Sequence, residues 1–274
     1  MEDFMTSFPY QAVAFDLDDT LLRDDLSISD RTVSLLRALS SSGVRIIPAS
    51  GRAQQSMMPF LKRLSCADLY ITCNGAEIRD GSSHELIHGE FFSAELGREI
   101  AAFGKKHHCY AQTYADEYFF YNEESVWAER YASASVLKGI HVGDLEVFIQ
   151  EPRNKILMMA DEAKIASMLA EASSLFAGRV SVTCSKPWFL EFNPPGATKG
   201  AALMQAAKLL NLDISDFIAF GDSLNDLSML QVAGRGVLME NGRRELRPLT
   251  DDICLSNQKD GVAEYLSRIW EASA

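Results

Sequence analysis

Three apolar runs in this chain end abruptly in reactive side chains, and no other feature constrains the fold as tightly. Val13-Ala14-Phe15 leads into Asp16-Leu17-Asp18-Asp19-Thr20, and Val44-Arg45-Ile46-Ile47-Pro48 leads into Ala49-Ser50-Gly51-Arg52. Far downstream, Phe217-Ile218-Ala219-Phe220 leads into Gly221-Asp222-Ser223-Leu224-Asn225-Asp226. Each run reads as a buried strand. Core strands are normally punctuated by Gly, Pro or Asn, and a carboxylate beside a hydrophobic core is costly unless a metal or a cation compensates it. In an open parallel α/β sheet the carboxyl ends of the strands border one crevice, so these endings are expected to meet there.

The segments between the runs fit that sheet. Asp30 to Ser40 sets Val33, Leu35, Leu36 and Leu39 on one helical face and stops before Gly43, and a second helix follows over about 53–64. A short strand, Leu69-Tyr70-Ile71-Thr72, ends in the polar turn Asn74-Gly75. From about His84 to Glu191 the pattern changes to hairpin-like strands and separate helices, and aromatics concentrate between Tyr110 and Tyr131. After Pro194-Pro195-Gly196 a helix over 199–210 restarts the alternation, and a last helix begins at Gly261. The expected fold is α/β: a Rossmann-like, doubly wound, mostly parallel sheet core with an inserted α/β domain. Its expected parts are a core over 1–83 and 191–274 and an insert over 84–190.

Composition narrows the function. With 274 residues, 47% of them hydrophobic, the chain can bury a sizeable core. A formal charge of −12 disfavours nucleic-acid backbones and anionic membrane surfaces, so any anionic substrate must be met by local cations. The five cysteines are an odd, widely spaced set without a C-x-x-C pair, as expected of reduced thiols. The start, Met1-Glu2-Asp3-Phe4, is acidic, and no apolar run reaches the ~18 residues needed to span a bilayer. A cytoplasmic protein is expected, with no nucleic-acid or membrane partner and no obligate protein partner inferred.

The chemistry that these residue types suit is phosphoryl transfer, which needs a nucleophile, relief of phosphate charge and a proton donor for the leaving oxygen. Asp16 can attack phosphorus, and Asp18, two residues on, can protonate the leaving group and later activate water. Two unit charges at about 4 Å repel by about 4 kcal/mol at an effective dielectric near 20, so a cation is required. A hard, oxygen-ligated Mg²⁺ suits Asp16 and Asp222, with Asp226 orienting from behind. Lys199, at the start of its helix, is placed to offset phosphate charge.

Asp16-Leu17-Asp18-Asp19-Thr20, Ala49-Ser50-Gly51-Arg52, Thr198-Lys199-Gly200 and Gly221-Asp222-Ser223-Leu224-Asn225-Asp226 resemble, in order, the four motifs of the haloacid dehalogenase superfamily. The branch most resembled is the Cof-type sugar-phosphate phosphatases, which carry an α/β cap where this chain has its aromatic insert. The Cys73-Asn74-Gly75-Ala76 turn and the Asp260-Gly261-Val262-Ala263 ending also resemble that branch. The resemblance covers essentially the whole chain. It implies Asp16 as nucleophile and Asp18 as acid/base, with Mg²⁺ held by Asp16, Asp222 and the backbone carbonyl of Asp18. It implies phosphate binding by Ser50, Gly51, Lys199 and Asn225. Ser50 stands where Thr is frequent in the family, and Val237-Leu238-Met239-Glu240-Asn241 replaces a more usual small-residue run.

Other signals have plainer readings. His84-Glu85-Leu86-Ile87-His88 matches H-E-x-x-H, but it lies between Gly81-Ser82-Ser83 and Gly89 and reads better as a hairpin than as a zinc helix. His107-His108 follows two lysines at a helix end and reads as a solvated terminus. Cap core packing explains most of the aromatic series, with Tyr114 and Tyr118 kept as substrate-specificity candidates. Glu191 and Asn193 alternate with Phe192 and are candidates to face the cleft. Arg52 suits either a phosphate contact or a structural ion pair, and Asn74 is a supporting residue.

The expected activity is therefore Mg²⁺-dependent hydrolysis of small phosphorylated metabolites, sugar phosphates or similar, through an aspartyl-phosphate. The alternatives are a phosphomutase on the same fold and a binding or regulatory module without turnover.

Overall fold

The computed structural model describes residues 8–115, 118–135 and 137–273; the acidic start Met1 to Phe4 lies outside them. The core begins with strand β1 (Ala12–Phe15), helix α1 (Asp30–Ser41), strand β2 (Arg45–Pro48), helix α2 (Gln54–Leu64) and strand β3 (Leu69–Thr72). Strands β4 (Glu77–Asp80) and β5 (Leu86–Gly89) pair antiparallel and extend β3 into a three-stranded sheet. The H-E-x-x-H letters thus fall on a hairpin, with His84 at φ +62° in its turn.

The insert supplies helix α3 (Ala94–Lys106), strands β6 (Tyr110–Ala115) and β7 (Tyr118–Tyr121), helix α4 (Val126–Ser135) and strand β8 (Lys138–His141). It continues with helix α5 (Leu145–Phe148), strand β9 (Ile156–Met159), helix α6 (Glu162–Leu175) and strands β10 (Ser181–Thr183) and β11 (Phe189–Asn193). These strands form a six-stranded sheet in the order β10-β11-β9-β6-β7-β8, whereas β5 pairs with β4 beside the core, so both expected limits of the insert, 84 and 190, move: β5 falls with the core and β11, through Asn193, with the insert. The chain then returns through helix α7 (Lys199–Leu210), strand β12 (Phe217–Gly221), helix α8 (Leu227–Val232), strands β13 (Arg235–Met239) and β14 (Asp252–Cys254) and helix α9 (Gly261–Ala272).

Five parallel strands, ordered β14-β13-β12-β1-β2, make the core sheet. Alternation along β1 explains why its run is apolar at every position: Val13 and Phe15 face α1, α2 and α9, while Ala12 and Ala14 face α7 and α8. Both faces are covered, as doubly wound packing requires. Ala49 bridges to Ile71, which sets β3 beside β2 beyond the regular pairing.

The two faces of the insert sheet are covered differently, one by α3 and α6 and the other in part by α4. Ile156, Met158, Leu190 and Phe192 pack under α3 and α6, whereas Leu157, Met159 and Phe189 turn the other way, toward the core. All five cysteines are free thiols. Burial pushes Cys66 and Cys109 to about 11 and Cys73 and Cys254 to about 12, so these four stay protonated and unreactive at neutral pH.

Candidate active site

β1 and β12 are adjacent, in register from Ala12 opposite Phe217 to Phe15 opposite Phe220, so Asp16 and Asp222 leave the sheet side by side. After Asp16 the chain widens: Leu21 and Leu22 donate N–H groups back five residues, to the carbonyls of Asp16 (3.3 Å) and Leu17 (2.8 Å). Asp19 takes φ +59° in that turn. Lys199, fully buried, donates to Asp16 Oδ1 at 2.5 Å and to Asp226 Oδ1 at 2.6 Å. The other oxygen of Asp226 accepts from the backbone N–H groups of Asp222 (3.0 Å) and Ser223 (2.9 Å), and Thr20 Oγ1 donates to Asp222 Oδ1 at 3.1 Å.

Asp16, Asp222 and Asp226 each bring a carboxylate oxygen within 4.8 Å of the others. Burial, reinforced by the neighbouring carboxylates, pushes Asp16 well above the ordinary range despite Lys199 and pushes Asp222 to about 8. Three carboxylates share one ammonium, so the fully ionised cluster would carry surplus negative charge in an all-oxygen donor set. That fits a hard divalent cation of the Mg²⁺ class. Because Asp226 already serves Lys199 and two amides, Asp16 and Asp222 are the freer ligands.

Asp18 lies outside this cluster. Its carboxylate makes a two-pronged ion pair with Arg52, at 2.7 Å and 2.8 Å, and although burial raises its proton affinity, Arg52 outweighs that and holds Asp18 below the usual carboxylate range. Arg52 also donates to Ser56 Oγ and to the Ala134 carbonyl in the insert, and stacks over Phe60 at 5.1 Å. Arg52 thus makes the ion pair expected as one of its roles and also borders the cleft.

Ser50 is fully buried, and its hydroxyl accepts from Arg52 N. Asn225 Nδ2 donates to Asn74 Oδ1 at 3.0 Å, and Asn74 Nδ2 donates to Glu191 Oε2 at 3.1 Å. Asp16, Asp18, Asp222, Gly51, Arg52 and Asn225 border a cleft of about 330 Å³ whose opposite wall is α4 and the core-facing side of the insert sheet. That volume suits a small metabolite.

A family model described as haloacid dehalogenase-like hydrolase matches residues 13–266. The chain belongs to this family. It is an enzyme, a hydrolase of the phosphatase kind. The hydrolase is 29% identical over 263 residues to the HMP-PP phosphatase of Cronobacter sakazakii, covering 93% of each chain. It is 27% identical over 270 residues to the 5-amino-6-(5-phospho-D-ribitylamino)uracil phosphatase of Bacillus subtilis, covering 96% of this chain and 98% of that one. Its structure matches a haloacid dehalogenase-like hydrolase from Bacteroides thetaiotaomicron with a TM-score of 0.86 at 28% identity, over 95% of this chain and 99% of that chain.

Not every candidate residue of this hydrolase reaches the cleft. Glu191 lines it, but Tyr114 is buried behind it, bonded through its hydroxyl to Tyr131 at 2.7 Å and Gln112 at 2.7 Å. Tyr118 packs against Phe120 and lines no part of the cleft either. Asn193 is on the Glu191 face of β11 but fully buried, with neither amide atom hydrogen-bonded among the described residues. The aromatics that do line the cleft are Trp127, Tyr131, Trp188 and Phe189, together with the cations Arg130, Lys155 and Lys186. Sequence reading passed over most of them because each looks like an ordinary surface or strand residue. The one available signal was alternation: Lys155, Leu157 and Met159 share a face of β9.

Proposed function

We propose that this hydrolase is a Mg²⁺-dependent phosphatase that cleaves small phosphorylated metabolites, sugar phosphates among them, through an aspartyl-phosphate at Asp16. The observation that carries the reading is the convergence of two strand ends and one helix start on a single point, Asp16 against Lys199 with Asp222 and Asp226 alongside. Relatives named as an HMP-PP phosphatase and as a 5-amino-6-(5-phospho-D-ribitylamino)uracil phosphatase support the same reaction class.

The phosphoryl group would sit among Ser50, the Gly51 backbone, Lys199 and Asn225. Asp16 then attacks phosphorus, the ester oxygen departs with a proton from Asp18, and the resulting acyl phosphate is opened by a water whose proton Asp18 takes. The Arg52 pair keeps Asp18 ionised, which suits the second step; for the first, Arg52 must release Asp18 as substrate enters. When bound by Asp16, Asp222 and the Asp18 carbonyl, Mg²⁺ would supply charge relief between nucleophile and phosphate. Asp226 holds Lys199 and the Asp222 loop in place. The insert, whose core-facing sheet side and α4 roof the cleft, selects the leaving group and excludes water.

The test is phosphate release from p-nitrophenyl phosphate and a hexose-phosphate panel, with Mg²⁺ and with chelator. Wild type should release phosphate only with Mg²⁺, and Asp16→Asn should lose roughly 10³-fold or more in kcat while folding normally. Near-normal turnover in Asp16→Asn would remove Asp16 from the nucleophile role. Transfer to the hexose instead of release would identify a mutase.

A further inference from the structure

A buried ion pair in the insert reaches across the cleft into the phosphate-binding loops. Lys155, just before β9, is almost fully buried, and its ammonium bonds to Glu191 of β11 and to the Gly51 carbonyl at 2.9 Å. The second oxygen of Glu191 accepts from Asn74, whose own oxygen accepts from Asn225. Asn74 sits in a turn that packs without slack. A Cβ at Gly51 would lie 2.8 Å from Asn74 Oδ1, and one at Gly75, which has φ +105°, would lie 2.3 Å from the Thr198 carbonyl just before Lys199. One turn therefore touches the second, third and fourth motifs at once.

We infer that Lys155 and Glu191 are positioning residues: through the Gly51 carbonyl and through Asn74 they fix the phosphate-binding groups, so the loops reach their working geometry only with the insert seated. The inference rests on the phosphatase reading above. A buried charge pair is weak evidence for stability, since its desolvation offsets its attraction, but it specifies one arrangement of the groups it bonds. Here those groups belong to two parts of the molecule. Glu191 is suited to the task because it serves Lys155 and Asn74 with separate oxygens. A glutamine has one oxygen and must turn its NH₂ toward either Lys155 or the Asn74 NH₂, breaking the relay at one junction without changing its shape.

The experiment is a double-mutant cycle on orthovanadate inhibition of p-nitrophenyl phosphate hydrolysis with Mg²⁺ present, using Glu191→Gln, Asn225→Ala and both together. Glu191→Gln should weaken orthovanadate roughly tenfold, the scale of one charge-assisted hydrogen bond. Its loss in kcat/KM should be similar for p-nitrophenyl phosphate and hexose phosphates; its thermal midpoint should fall because Lys155 stays buried without its carboxylate, so both losses are read at a temperature where circular dichroism shows the variant folded. Asn225→Ala should cost several-fold less in the Glu191→Gln background than in wild type. Additive effects would overturn the inference, as would losses confined to hexose phosphates with orthovanadate unaffected, which would make the pair a leaving-group contact. A wild type inactive on every substrate would instead overturn the phosphatase reading, and the inference with it.

Discussion

The core and the insert face each other across one cleft, yet they carry their chemistry in opposite ways. In the core, Asp16, Ser50 and Asp222 stand just past strand ends, so the change from apolar to polar marks each of them locally. In the insert, the cleft wall is the core-facing side of a sheet, and its members alternate with core residues: Lys155, Leu157 and Met159 on one face, Ile156 and Met158 on the other. Strand ends concentrate function, whereas a sheet face disperses it at every second position. On the proposed reading the chemistry is a compact charged cluster and the selectivity a broad, mixed wall.

That contrast breaks down first if the core cluster is not an electrostatic unit. Lys199→Met leaves Asp16 and Asp226 sharing a buried site without their ammonium, and denaturant unfolding should lose about 3–5 kcal/mol. A loss below about 1 kcal/mol would mean that solvent or counterions already screen the cluster.

The next effect is a pH dependence of the metal-free protein. Asp222 is raised to about 8 in the fold from an unfolded value near 3.8, so the folded state binds the extra proton between them. Its contribution to stability is present below the unfolded value and is lost as pH rises through about 8. In chelator the thermal midpoint should therefore fall between about pH 5 and pH 8, and Mg²⁺ should flatten that fall by binding the ionised carboxylates. An identical slope with and without Mg²⁺ would count against Asp222 as a ligand.

On the insert side, Trp188→Ala should sharpen the comparison. Its indole is 42% exposed and lines the cleft, so kcat/KM for ring-bearing phosphates should drop about tenfold while acetyl phosphate changes little. Equal losses on both would move Trp188 from selection to structure. The smallest effect belongs to Tyr114→Phe, which removes the hydroxyl bonded to Tyr131 and Gln112. It should lower stability by about 1 kcal/mol and leave the substrate ranking unchanged.

These expectations also mark what was legible in the sequence. The doubly wound core followed from runs such as Val13 to Phe15, because a strand buried on both faces must be apolar throughout. The meeting of Asp16 and Asp222 was expected from strand ends that border one crevice of a parallel sheet, whereas Lys199 was marked only as a cation at a helix start. Tyr114 was a poor guide to the cleft because aromatic content reports burial, and β6 turns that ring into the seam behind α4. Lys155 was passed over because a lysine opening an apolar strand looks like a solvated edge, and only pairing with β11 brings it to Glu191. The Arg52 to Asp18 pair was weighed as one of two roles, since sequence gives no torsion to choose between them.

The central claim is that Asp16 carries the phosphoryl group in a covalent step. It is tested most directly by acid-quenching the enzyme during turnover of acetyl phosphate and mapping the phosphorylated peptide by mass spectrometry. Acetyl phosphate has a good leaving group, so Asp18→Asn should still be phosphorylated but slow to release phosphate, and label should accumulate on the peptide containing Asp16. No label should form in Asp16→Asn. Phosphate release by a wild type that never carries label at Asp16, or label on another residue, would contradict the account.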